Sequence, residues 1–103
     1  QMPVWKQEVF GPVMAYMTFE TPEEAVEMAN ASEFGLGASI WSENRDFAEG
    51  VAGHIQSGFV AINAMVKSDP RLPFGGVKRS GFGREMGEPG IKEFVNIKTV
   101  VVQ

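Results

Sequence analysis

The sequence predicts an α/β fold with mostly parallel strands, in the order strand, helix, strand, helix, strand, closed by a C-terminal strand suited to assembly. Three observations predict it. Short apolar runs rich in β-branched and aromatic residues alternate with stretches whose apolar residues recur at helical spacing. Helix-start residues stand ahead of the helical stretches. The links between elements are short, which favours parallel strands joined by crossovers.

The first element is "VMAYMTF", Val13 to Phe19, which follows the turn signal Gly11-Pro12 and reads as a buried strand. Thr21 is a good N-cap, Pro22 suits the first helical position, and Glu24 stands where a capping box with Thr21 needs it. Ala25, Val26, Met28 and Ala29 share one face, giving a helix of about ten residues that ends near Phe34-Gly35. A second strand runs from Leu36 to Trp41. Asn44 caps a second helix, whose inner face is Phe47, Ala48, Val51, Ala52 and Ile55. Gln56-Ser57-Gly58 then turns the chain into a third strand, Phe59 to Asn63.

A loop of about fifteen residues follows, Ala64 to Lys78, and loops of that length are uncommon unless functional. "GIKEFVN" reads as a short helix and "IKTVVVQ" as the final strand. Val100, Val101 and Val102 form an unbroken apolar run, prone to pairing. That strand either completes the sheet of its own chain or is donated to a partner subunit.

Bulk properties restrict the function classes. The 103 residues suffice for one domain and one core, and the mix of 44% hydrophobic and 21% charged residues is that of a soluble globular chain. A net charge of −4 argues against nucleic acid as a partner, since phosphate binding needs a basic face. The absence of Cys excludes disulfides, thiolate metal sites and a cysteine nucleophile within these residues. His54 is the single histidine, so a multi-histidine metal site is excluded too. At the end of the second helix, it suits the carbonyl dipoles there. No apolar run approaches the ~20 residues of a membrane span, and no charged-then-apolar leader opens the chain, so the expected location is cytoplasmic and no membrane partner is expected. The opening "QMPVWKQEVFGPV" starts mid-element, as a piece of a longer protein would.

"PFGGVKRSGFGRE", Pro73 to Glu85, sets glycines among cations and invites comparison with phosphate-binding loops. Every such pattern fails on spacing. Gly81-Phe82-Gly83 is followed at the third place by Met86, so the dinucleotide fingerprint is broken. Lys78-Arg79-Ser80 lacks the glycine that must precede the lysine of a Walker loop. The glycines are therefore expected to serve backbone geometry and close packing. Lys78, Arg79 and Arg84 are then not expected to hold a phosphate.

Other polar residues admit two readings. Glu8, before the Gly11-Pro12 turn, is either a solvated acid or an acceptor for the hydroxyls of a sugar. Phe10 belongs either to a core or against a flat cofactor. Ser68 and Arg71 are either solvated loop residues or, as a hydroxyl beside a guanidinium near Phe74, a site for a carboxylate. No nucleophile with an activating base is present, as covalent catalysis requires.

"EVFGPV", "FGLGASIW", "SGFVAIN", "PFGGVKRSGFGRE" and "EFVNIKTVVV", in this order and across nearly the whole chain, resemble the C-terminal part of an NAD(P)+-dependent aldehyde dehydrogenase. The resemblance to bacterial succinate semialdehyde dehydrogenases is strongest in "SDPRLPFGGVKRSGFGRE". It implies that residues 1–95 are the back of a catalytic domain and residues 96–103 an oligomerisation strand. It also implies NAD or NADP as cofactor, an aldehyde as substrate, the remainder of the enzyme as partner, and a homodimer or homotetramer. Glu8 matches the residue that binds the nicotinamide-ribose hydroxyls, and Phe10 the aromatic beside the nicotinamide. Phe74 matches a residue lining the aldehyde entrance, and Ser68 one that contacts the distal carboxylate of succinate semialdehyde. Arg84 and Glu85 match structural or intersubunit positions.

The implied reaction begins with attack of a thiolate on the aldehyde, continues with hydride transfer to the nicotinamide, and ends with hydrolysis of the thioester. The nucleophile, the general-base glutamate, the oxyanion-hole asparagine and the cofactor's phosphate site have no counterpart here. These residues alone are expected to be inactive, and positioning is their share of catalysis. The rival expectation is a non-catalytic folded module that acts only by association through its last strand.

Overall fold

The computed structural model describes residues 2–103. After a 3-10 turn at Pro3–Trp5 come α1 (Pro22–Asn30), β1 (Phe34–Gly35), β2 (Gly37–Ile40), α2 (Arg45–Ala52), β3 (Phe59–Ile62), β4 (Val77–Lys78) and α3 (Gly87–Lys92). Strands and helices alternate through the middle of the chain, as the apolar periodicities require.

The two long helices start where their cap residues say. Thr21 Oγ1 accepts the Glu24 amide at 3.2 Å, and Asn44 Oδ1 accepts the Phe47 amide at 3.0 Å. Each such cap is worth about 1 kcal/mol, because a helix start leaves four amides without intrahelical partners. The reciprocal half of the capping box goes one residue further back. Glu24 Oε2 accepts from the Glu20 amide at 2.8 Å, not from Thr21.

β2 and β3 pair in parallel, with Gly37 opposite Phe59 and Ile40 opposite Ile62, and α2 forms the crossover between them. This is the parallel unit expected from the sequence. The ladder is flanked by Gly58 N–H to Gly35 O at 3.0 Å and Asn63 N–H to Ile40 O at 2.8 Å. Two asparagines brace its ends. Asn30 Oδ1 accepts from the Gln56 amide and its Nδ2 donates to the His54 carbonyl, both at 2.8 Å, tying α1 to the turn after α2. Asn63 Oδ1 accepts from the Ser42 amide and Nδ2 donates to the Ser42 carbonyl, again at 2.8 Å, locking the far end. β1 and β4 add a short antiparallel pair, Phe34 opposite Lys78.

Two expected strands are not formed among the described residues: the first is a correction, and the last leaves only the expectation of a strand donated to a partner. Val13 to Phe19 forms no ladder, and its large apolar side chains are exposed. Ile97 to Gln103 likewise makes no strand with the rest of the chain, with Ile97 and Val100 to Val102 exposed. Both segments have strand composition, but a strand exists only where a neighbour takes up its amides and carbonyls. Among the described residues neither segment finds that neighbour. The last helix, expected from Gly90, begins at Gly87 and ends at Lys92. His54 lies beyond the end of α2, two residues after Ala52.

The core is small. Ala48 of α2 and Ala61 of β3 are the buried apolar side chains among the described residues. The radius of gyration is 17.4 Å, against about 13 Å for a compact chain of this length. Large apolar side chains of the terminal segments, among them Phe10, Tyr16, Ile97 and Val100 to Val102, stay exposed, while the inner faces of α1 and α2 are mostly half-buried. No helix among the described residues is long and apolar enough to cross a membrane.

Candidate active-site clefts

Two clefts meet behind the glycine loop. The first, about 510 Å³, is lined by Trp5, Glu8, Phe34, Leu36 and Ser80 among others. The second, about 480 Å³, is lined by Leu36, Phe74, Ser80, Arg84 and Phe94 among others. Leu36 and Ser80 belong to both, so Glu8 and Phe74 line adjoining clefts. The shared boundary is held from within: Ser80 Oγ accepts from the Gly35 amide at 3.0 Å, at a half-buried contact linking β1 to the loop.

The structure thus brings Glu8 and Phe74 to neighbouring clefts. Glu8 is exposed at the rim of the first, where both carboxylate oxygens can accept from a vicinal diol. A pentose of a dinucleotide fits that chemistry, and the volume accommodates part of such a ligand. Phe10 is 93% exposed and lines neither cleft, leaving a flat ring free beside the same segment. Phe74 is half-buried, with its ring 6.1 Å from that of Phe59 and tilted by 51°. The contact backs one face of Phe74 with the third strand.

Ser68 is exposed on the long loop and lines neither cleft. Arg71 turns toward Asp69 and not toward Phe74: Nη2 reaches Oδ2 at 2.6 Å and Nε reaches Oδ1 at 2.9 Å. The guanidinium holds the Asp69 carboxyl below the usual carboxylate range, and the carboxylate raises Arg71 in turn. The structure therefore commits Arg71 to an ion pair within the loop.

The cations of the glycine loop have structural partners, as the failed phosphate patterns imply. Lys78 Nζ donates to the carbonyls of Asn30 and Ser32 at 2.7 and 3.0 Å, serving the C-terminal end of α1, where cations are favoured. Arg79 pairs with Glu33 at 2.5 Å and lies 5.7 Å from the centre of the Phe34 ring. Arg84 Nη1 donates to the carbonyls of Gly76 and Gly83. Gly81 and Gly83 occupy the left-handed region, φ 105° and 79°, where a side chain would be strained. Sequence reasoning passed over Leu36 and Ser80 as wall residues, because nothing in their spacing shows that sequence-distant segments converge there. No group of three acidic or imidazole side chains able to hold a metal ion occurs among the described residues.

Residues 1–100 match the aldehyde dehydrogenase family. The chain is 55% identical over 98 residues to a Synechocystis protein named "Probable succinate-semialdehyde dehydrogenase [NADP(+)]", covering 95% of this chain and 22% of that protein. Among solved structures it resembles succinic semialdehyde dehydrogenase from Streptococcus pyogenes in complex with NADP+, with a TM-score of 0.92 and 45% identity over 97% of this chain and 22% of that one. It also resembles betaine aldehyde dehydrogenase from Staphylococcus aureus in complex with NAD+, with a TM-score of 0.87 and 40% identity over 90% of this chain and 18% of that one. The chain spans about a fifth of the length of these relatives. The motifs, the α/β arrangement and the match over residues 1–100 together place the chain in the aldehyde dehydrogenase family.

Proposed function

We propose that these residues act within an NAD(P)+-dependent aldehyde dehydrogenase that oxidises succinate semialdehyde to the acid, and that their share of the work is positioning. The observation that carries this is the pair of clefts meeting at Leu36 and Ser80, with Glu8 lining one and Phe74 the other. A hydride acceptor and an aldehyde must approach closely, and two adjoining ligand spaces suit that need.

In this reading Glu8 accepts from the ribose hydroxyls and Phe10 lies against the nicotinamide. When bound, the cofactor supplies the hydride acceptor. Phe74 forms one side of the aldehyde entrance, and Ser68 donates to the distal carboxylate of the substrate. The thiol nucleophile and the activating base belong to parts of the enzyme outside these residues. Residues 96–103 pair with a partner subunit of a homodimer or homotetramer. The exposed large apolar side chains of the terminal segments, Phe10, Met14 and Tyr16 at one end and Ile97 and Val100 to Val102 at the other, support association with further protein.

Succinate semialdehyde, rather than a neutral aldehyde, is supported by the likeness to the Synechocystis and Streptococcus proteins. The test is a substrate series on the full-length enzyme, comparing succinate semialdehyde with neutral aldehydes of similar length. A kcat/KM at least tenfold higher for the charged aldehyde is the expected outcome. Equal values would remove the substrate assignment, and no oxidation of any aldehyde would remove the activity.

A further inference from the structure

The loop that carries Phe74 is closed on itself. Phe74 and Glu85 exchange both backbone hydrogen bonds at 2.7 Å, forming a two-residue bridge at its neck. Just inside the neck, Arg84 Nη1 donates to the Gly83 carbonyl at 2.6 Å, on its own arm, and to the Gly76 carbonyl at 2.9 Å, on the opposite arm. The arms are in close contact there. A methyl group built on Gly75 would lie 2.6 Å from the Gly83 carbonyl oxygen and 3.1 Å from Arg84 Cδ. Arg84 is half-buried and lines the same cleft as Phe74.

We infer that Arg84 is a positioning residue for the aldehyde site: its guanidinium clamps the two arms of the 74–85 loop and so fixes the Phe74 ring at the cleft. The inference rests on Phe74 lining the aldehyde entrance. One nitrogen of the rigid guanidinium, Nη1, serves both carbonyls, and charge-assisted bonds of this kind are the stronger ones. The Phe59 ring restrains Phe74 from the sheet side, while the clamp restrains the backbone that carries it. With the clamp removed, the neck retains only its two backbone bonds and Phe74 can shift relative to the cleft.

The test is a double-mutant cycle in the full-length enzyme, made of Phe74→Ala, Arg84→Lys and their combination, with Arg84→Met as the more severe variant. Lysine keeps the charge on a shorter stem with no atom at the Nη1 position, so Arg84→Lys is the milder change and serves if Arg84→Met does not fold. The expected result is a rise in aldehyde KM of about fivefold or more for Arg84→Lys, with the NAD(P)+ KM unchanged, and a disappearance of this rise when Phe74 is already Ala. The same rise in the Phe74→Ala background, an equal loss in all kinetic constants, or no change at all would overturn the inference while leaving Phe74 at the entrance. If Phe74→Ala alone leaves the aldehyde KM unchanged, the entrance assignment itself fails, and the role of Arg84 falls with it.

Discussion

Gly58 and Gly75 touch backbone to backbone: a methyl group built on Gly58 would lie 1.8 Å from the Gly75 carbonyl oxygen. Gly58 enters the third strand and Gly75 follows Phe74, so this contact seats the glycine loop on the parallel pair. A side chain cannot be accommodated without separating the two, because the obstructing atom belongs to the backbone. Gly58→Ala is expected to destabilise the fold by about 1–3 kcal/mol, the cost of forcing atoms into a filled space. Chemical denaturation of the wild-type and variant enzymes measures it.

Asn30 should be nearly as sensitive, for a different reason. Its side-chain amide satisfies one donor and one acceptor at the α2–β3 turn, both at 2.8 Å. Asn30→Ala leaves the Gln56 amide and the His54 carbonyl to find water, at an expected cost of about 1–2 kcal/mol. Asn30→Asp keeps the acceptor and loses the donor, so its loss should be the smaller. The unfolding midpoints of the two variants decide between them.

The Asp69–Arg71 pair gives a prediction in pH. Arg71 lowers the Asp69 carboxyl from its ordinary 3.8, so the folded form binds that proton less readily than the unfolded form. Any stabilisation from the pair is therefore present above that ordinary value and is lost as pH falls through the lower folded one. It is constant near neutrality. A titration of the Asp69 carboxyl by NMR should give a midpoint below 3.8, and Arg71→Gln should raise it toward that value but not fully, because the backbone amide at position 71 still donates to Oδ1.

Glu8→Gln removes the charge from an acceptor proposed to hold the cofactor's ribose. Turnover in the full-length enzyme is expected to fall about tenfold, consistent with the loss of a charge-assisted hydrogen bond. Unfolding behaviour should not change, since Glu8 is exposed. Steady-state kinetics with NAD+ and with NADP+ check this, and unaltered constants would take Glu8 out of the site.

Val100 to Val102 are exposed and make no ladder among the described residues. If they pair with a partner subunit, removing residues 100–103 should lower the oligomeric mass of the full-length enzyme in light scattering. An unchanged mass would assign the segment to another role.

Much of the fold was legible because its signals are local. Thr21 and Asn44 announce their helices by side chains that cap the amides three residues on. The apolar faces of α1 and α2, and the strand at Phe59, follow from periodicity alone. Val13 to Phe19 misled for the complementary reason: composition reports a tendency to pair but not the presence of a partner. The same limit applies to the last strand. The antiparallel pair of Phe34 with Lys78 joins segments far apart in the sequence, and no spacing rule links them.

By itself the sequence determined the helices, the parallel β2–β3 unit, the failure of every phosphate-loop pattern and the aldehyde dehydrogenase family. These depend on neighbours within a few residues or on ordered motifs. Only the tertiary structure decided that Leu36 and Ser80 line two adjoining clefts, that Arg71 is committed to Asp69, and that Arg84 clamps the loop behind Phe74. Those facts depend on where distant segments meet in space, and Coulomb attraction and close packing act over ångströms, not over positions in a chain.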